Sequence, residues 1–82
     1  MTAMVETPAI RAEALFASPL QGSQTPTVDQ VRAAIADMLV RLGPSGCAAR
    51  MAEEYGEHPT EAVRRMLWVL AALHAAFADE SG

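Results

Sequence analysis

The clearest pattern in the chain is a stripe of apolar residues at helical spacing between positions 26 and 42. Its members recur every three or four residues: Val28, Val31, Ile35, Met38, Leu39 and Leu42. Ahead of this stripe, Thr27 and Gln30 have the three-residue separation of a capping box. Behind it, Gly43 can adopt the left-handed backbone of a helix end, and Pro44 cannot continue a helix. The pattern therefore predicts an amphipathic helix over about 26–42.

Two more helices are predicted, a short one over about 46–55 and a long one over about 59–78. The short helix stops at Gly56, and its inner face contains Cys47, Ala48, Met51, Ala52 and Tyr55. The long helix begins at Pro59, a residue that suits a first helical turn. Its apolar residues extend almost all the way round the helix.

The wide apolar surface of the long helix exceeds what one neighbouring helix can cover. We expect the first helix to bury the face that contains Val63, Leu67, Leu70 and Phe77. The remaining apolar residues then point away from that face, and small alanines beside a tryptophan would let a partner helix approach closely. The predicted partner-binding residues on this helix are Trp68, Ala72 and Ala75.

The N-terminal segment is rich in proline, glycine and small polar residues, a mixture that does not supply a packed core by itself. We expect a flexible arm over 1–24, a three-helix domain over 25–79 and a disordered tail over 80–82. Within the arm, Leu15 and Phe16 have two interpretations that the sequence leaves open. They either cover an edge of the core or contact the same partner as the long helix.

Composition supports an all-α class and restricts the partners. The 82 residues form one domain, and the apolar 51% is rich in alanine and methionine and poor in aromatic residues, which favours helices over a sheet. The chain has ten acidic residues, six arginines and no lysine, and the resulting net charge of -4 repels phosphate. A single cysteine excludes an internal disulfide and fits a reducing compartment. No leader peptide or membrane span is recognised, so we expect a cytoplasmic protein.

The second and third predicted helices resemble a helix-turn-helix, with Ala52, Gly56 and Val63 at nearly the required spacing. The agreement is imperfect, because Val63 lies seven positions after Gly56 where the common pattern has six. In a DNA-binding unit of this kind, the groove would be contacted by Thr60, Arg64 and Arg65. Three arginines and four glutamates between positions 47 and 68 provide little neutralisation of phosphate.

No constellation of residues predicts catalysis or metal binding. Cys47 lies near a helix start, where amide dipoles favour a thiolate, but it belongs to the inner stripe and has no nearby general base. Cys47 with His58 and His74 reproduces no zinc spacing, and a structural site needs four ligands. We therefore expect no enzyme activity, metal, cofactor or small-molecule substrate.

Several short motifs resemble a group of short, functionally uncharacterised actinobacterial helical proteins. They cover roughly the central half of the chain: Pro26-Thr27, Gln30-Val31-Arg32, Gly46-Cys47-Ala48, Glu54-Tyr55-Gly56, His58-Pro59, Arg65-Met66 and Trp68. The resemblance implies a bacterial cytoplasmic protein and brings no catalytic or binding residue with it. Two functions remain open: a regulator or adaptor that acts through helix-mediated protein contact, including a homodimer, and a helix-turn-helix transcriptional regulator.

Overall fold

The computed structural model describes residues 6–80, and within them the chain contains helices and no strand. The all-α class is therefore confirmed for this part of the chain. Four α-helices follow one another, with a 3-10 turn at Gly22–Gln24 and another at Ala78–Glu80. The α-helices are α1 (Pro8–Ala17), α2 (Val28–Arg41), α3 (Gly43–Glu57) and α4 (Pro59–Ala76).

Two helices begin at capping threonines. Thr7 precedes Pro8, and its Oγ1 accepts a hydrogen bond from the backbone nitrogen of Ile10 at 3.1 Å. The capping box expected at the start of α2 is confirmed, because Thr27 Oγ1 accepts from Gln30 N at 3.1 Å and Gln30 Oε1 accepts from Thr27 N at 2.8 Å. These bonds satisfy backbone donors that have no partner inside the helix.

The prediction of a three-helix domain with a flexible N-terminal arm is wrong, because the expected arm contains the helix α1. Within α1, Ala14 and Leu15 are 0% exposed and Phe16 is 3% exposed. Full burial of a side chain such as Leu15 or Phe16 contributes about 1.5–3 kcal/mol, which helps to offset the ordering of the segment. The domain is therefore a four-helix unit in which α1 completes the core. Positions 1–5 of the expected arm and 81–82 of the expected tail lie outside the described residues.

The junction between α3 and α4 also differs from the expected helix-turn-helix. Gly56 lies inside α3, which continues to Glu57, and only His58 separates the two helices. His58 has φ -138° and ψ 65°, so one non-helical residue makes the bend. A helix-turn-helix uses a turn of about three or four residues, often with a glycine in it. The α3–α4 unit is a tighter helical corner.

The buried face of α4 is not the face that we expected, and the two differ by about a third of a turn round the helix. Ala62, Val69 and Ala76 are at most 3% exposed and recur every seven residues, or nearly two helical turns. Small alanines at two of these three positions let the α4 backbone approach the core closely, so the bulk of the core comes from α1 and α2 instead. As a result, Val63, Leu67 and Leu70 of the expected face point outward, whereas Phe77 is half-buried against the core.

Candidate contact surface on the fourth helix

The outward face of α4 is a ridge of three aliphatic side chains, Val63, Leu67 and Leu70, continued by the polar His74, and we call these four residues the α4 ridge. Val63 is 50% exposed, Leu67 65% and Leu70 52%, and His74 is also exposed. Their separations of four, three and four residues keep the side chains on one line along the helix. The sequence interpretation placed Val63, Leu67 and Leu70 against the first helix, because almost every face of α4 is apolar and the same spacing is typical of a core-facing stripe. The spacing alone therefore does not distinguish the exposed face from the buried one.

The predicted contact residues Trp68, Ala72 and Ala75 lie together beside the ridge. Trp68 and Ala72 are half-buried, and Ala75 is exposed. With the loop before α2 they line a shallow groove of about 280 Å³, which we call the Trp68 groove, and further lining residues include Gly22, Val28 and Ala71. The structure therefore places all three residues on one accessible surface.

Two neighbours restrict the indole of Trp68. A Cβ atom built on Gly22 would lie 2.8 Å from Trp68 Cδ1, so the loop backbone passes against the ring where only glycine fits without a shift. The Arg65 guanidinium lies 5.3 Å from the ring centroid. These contacts fix the indole as a wall of the groove.

A second groove, of about 550 Å³, runs along the C-terminal half of the ridge, between α4 and the start of α1. We call it the Phe77 groove, and its lining residues include Arg11, Leu70, Leu73, His74 and Phe77. The Arg11 guanidinium lies 3.8 Å from the centroid of the Phe77 ring, and Arg11 Nε is 3.2 Å from Glu6 Oε1. The groove is thus lined by apolar and charged side chains together, and the ion pair of Arg11 with Glu6 forms part of its wall.

Leu15 and Phe16 are placed in the core and not on a surface. Both belong to the buried cluster formed by all four helices, and the Phe16 ring stacks on Tyr55 with centroids 5.8 Å apart. Contact with a partner through these side chains would require α1 to leave the domain. Of the two interpretations left open by the sequence, the structure favours the core role.

Of the three residues expected to contact DNA, Arg65 is committed to a structural role. Its Nε donates to the Phe16 carbonyl at 2.9 Å, and its NH2 group donates to the carbonyls of Leu15 at 3.3 Å and Ser18 at 2.7 Å. Burial lowers the pKa of Arg65, and the nearby Glu54 carboxylate opposes that shift. Thr60 and Arg64 are exposed on α4.

A cleft of about 400 Å³ lies between the end of α1 and the corner of α3 and α4. Its charged lining residues are Arg50, Glu54, Glu61 and Arg65, so positive and negative groups are equal in number. The hydroxyl of Ser18, which also lines the cleft, donates to the Leu15 carbonyl at 2.7 Å. The arrangement offers neither a nucleophile paired with a base nor a region of one charge sign.

Cys47 is enclosed in the core at 0% exposure, and its sulfur lies 3.7 Å from the Met38 carbonyl oxygen. Burial raises the pKa of the Cys47 thiol, the Glu13 carboxylate raises it further, and Arg50 opposes the shift. Because α3 begins at Gly43, Cys47 lies beyond the first turn, where the expected helix-start effect has faded, and burial favours the neutral thiol. Within residues 6–80 no three histidine, cysteine or acidic side chains are grouped as metal ligands would be.

The helices of the described residues include none with the length and hydropathy of a membrane span. Comparison with known proteins finds no matching family, no matching curated protein and no matching solved structure.

Proposed function

We propose that this chain is a small non-enzymatic regulator or adaptor of the cytoplasm that acts through helix-mediated contact with a protein. The observation that supports this proposal is the α4 ridge. Three large aliphatic side chains, Val63, Leu67 and Leu70, are at least half exposed on one helical line. Single exposed apolar residues are ordinary on protein surfaces, whereas a continuous apolar patch marks an interaction site.

Association would be driven by covering this ridge. Burial of a large aliphatic side chain is worth about 1.5–3 kcal/mol when complete, so the half-exposed ridge residues would each contribute roughly 1 kcal/mol. The Trp68 groove adds small alanines, which permit a close backbone approach, and a fixed indole, which can serve as an anchor. A partner helix with apolar residues every three or four positions fits these features.

DNA binding through the corner of α3 and α4 is less well supported. Arg65 already donates to three carbonyl groups, so among the expected contact residues only Thr60 and Arg64 are left to meet DNA. Affinity for DNA depends on the number of phosphates that basic side chains neutralise, and one exposed arginine neutralises few. We therefore favour a protein partner over a nucleic acid.

The proposal is tested by affinity capture from native cells with the wild-type chain and two variants. Leu67→Glu places a charge at the centre of the ridge, whereas the control Val40→Glu makes the same change at an aliphatic side chain on α2 that is 85% exposed. We expect a specific protein to be retained by wild type and Val40→Glu and lost with Leu67→Glu, and to bind again when both components are purified. Equal retention by all three chains, or recovery of nucleic acid instead of protein, would reject the proposal.

A further inference from the structure

The charged groups on the outward face of α4 are all basic. Between positions 63 and 77 the ionisable residues are Arg64, Arg65 and His74, although acidic residues outnumber arginines ten to six in the whole chain. Arg64 is exposed and forms no ion pair with any described residue, and His74 is exposed as well. The acidic residue of this helix, Glu61, lines the cleft at the corner of α3 and α4. An unpaired positive charge therefore lies beside the aliphatic side chains of the α4 ridge.

The two grooves beside the ridge do not supply the missing negative charge. The Trp68 groove has no charged lining residue. The Phe77 groove has one acidic lining residue, Glu6, and its Oε1 is 3.2 Å from Arg11 Nε. A partner with positive charge on its contact face would thus be repelled by Arg64, whereas a partner with negative charge would be attracted.

The Trp68 groove widens the surface that a partner can cover. Ala71 and Ala75 line this groove and follow Leu67 by four and eight residues, so they lie on the ridge side of α4. Val28 of α2, which is 42% exposed, lines the groove as well. A helix laid along α4 would therefore contact the ridge, the small alanines and the start of α2 together, which buries more surface than the ridge alone.

We propose that the helix covering this surface belongs to another protein and is amphipathic, with large apolar residues every three or four positions and acidic residues at the edge of its apolar stripe. This inference rests on the proposed function, for which it names the chemistry of the partner. The apolar residues would cover Leu67 and Leu70, and a carboxylate at the edge of the stripe would pair with Arg64. A second copy of α4 does not fit, because its outward face brings arginine and histidine and no carboxylate.

Apolar contact supplies most of the affinity in this proposal, and charge supplies the selection. An exposed ion pair changes affinity only a few fold, and salt screens it. The surface is small for a protein interface, so we expect a transient contact with a Kd of about 10–100 µM.

Designed peptides test the proposal, with Trp68 as the reporter because it is the one tryptophan of the chain. The acidic peptide is a helix of about 14 residues with leucine every three or four positions and glutamate beside the leucines. A second peptide has lysine in place of each glutamate, and a third has the composition of the first with the leucines spread round the helix. From the fluorescence of Trp68, we expect the acidic peptide to bind at least about fivefold more tightly than the lysine peptide, and the third peptide not to bind.

Reversal of one charge on the protein gives the sharper arm of the test. Arg64→Glu should reverse the preference, so that the lysine peptide binds more tightly than the acidic one. The matched control is Arg41→Glu, which makes the same change on α2, where the Arg41 side chain is 71% exposed. This control should keep the preference of wild type. In wild type the preference should shrink as salt rises from about 0.1 M to about 1 M, because the screening length falls from about 10 Å to about 3 Å.

Four results would overturn the inference. They are equal binding of the acidic and lysine peptides, no response to either at about 1 mM, equal binding of the third peptide, and an unchanged preference in Arg64→Glu. A change of Trp68 fluorescence as large when the protein alone is concentrated would identify a second copy as the occupant and overturn it as well.

Failure of the acidic partner and failure of the proposed function give different results. If Leu67→Glu loses the protein captured from cells while Arg64→Glu retains it as well as Arg41→Glu does, the contact surface stands and the acidic partner is wrong. If Leu67→Glu changes no capture, the proposed function fails, and the inference fails with it.

Discussion

Arg65 of α4 holds the end of α1, because its Nε donates to the carbonyl oxygen of Phe16 at 2.9 Å. The last carbonyls of a helix have no partner within it, and a guanidinium placed there satisfies several at once. The two residues are 49 positions apart in the chain, so the bond joins the N-terminal helix to the C-terminal one.

Removal of the Arg65 guanidinium should loosen α1. We expect Arg65→Met to lower the free energy of unfolding by about 2 kcal/mol, since hydrogen bonds to charged groups contribute about 1.5–3 kcal/mol each and water will replace part of the loss. Urea denaturation followed by circular dichroism measures the change. The neighbouring Arg64→Met is the control, with an expected effect within about 0.5 kcal/mol. Equal effects of both substitutions would show that Arg65 does not anchor α1.

Leu15 tests whether α1 belongs to the core. Leu15→Ala should lower the free energy of unfolding by about 3–4 kcal/mol, because the side chain is 0% exposed and its loss leaves a cavity. Val40→Ala, at a position 85% exposed, should change it by less than about 0.5 kcal/mol. If Leu15→Ala were as mild as Val40→Ala in urea denaturation, α1 would be a dispensable arm.

The sequence was most informative where a local interaction decides the structure. Thr27 and Gln30 predicted the start of α2, because a capping box is formed by residues three positions apart. Thr7 and Pro8 carry a similar helix-start pattern, but the composition of the surrounding segment favoured a flexible arm. The burial of Leu15 depends on contacts with α2, α3 and α4, which no local pattern records.

The orientation of α4 shows the limit of periodicity. When nearly every face of a helix is apolar, several stripes can face the core, and the choice depends on side-chain volume. The bulky Leu67 faces outward, whereas Ala62 and Ala76 face inward, where α1 and α2 already supply the volume. The accessible positions of Trp68, Ala72 and Ala75 agree with the expected surface, while their role in binding remains a prediction.

Replacement of Gly22 by alanine, which adds a single methyl group, should destabilise the protein. Gly22→Ala places a Cβ atom 2.8 Å from Trp68 Cδ1, so the indole must shift, and we expect a loss of about 1–2 kcal/mol in unfolding free energy with a change in tryptophan fluorescence. Gly56→Ala is the matched control. An added Cβ there meets nothing within 4 Å, and alanine in a helix should stabilise the protein by about 0.5–1 kcal/mol. A neutral Gly22→Ala with unchanged fluorescence would contradict the close approach.

Cys47 should remain a protected thiol in the folded protein. Burial raises the pKa of Cys47, so the folded state favours the neutral thiol more than the unfolded state does. Its contribution to stability is therefore complete below the ordinary thiol pKa of about 8.5 and decreases as the pH rises above that value. Cys47→Ala should lack this alkaline loss in denaturation curves measured from neutral to alkaline pH. The same dependence of unfolding free energy on pH in wild type and Cys47→Ala would contradict this protection. Rapid labelling of the thiol at neutral pH without denaturant would contradict it as well.

The most direct test of the α4 ridge as a contact surface follows backbone amide chemical shifts in nuclear magnetic resonance while the purified protein captured by wild type is added. We expect shifts at Val63, Leu67, Leu70 and His74, with none around the exposed Val40. Shifts that are absent at saturating partner, or that occur on α2 instead of α4, would contradict a contact surface on the α4 ridge.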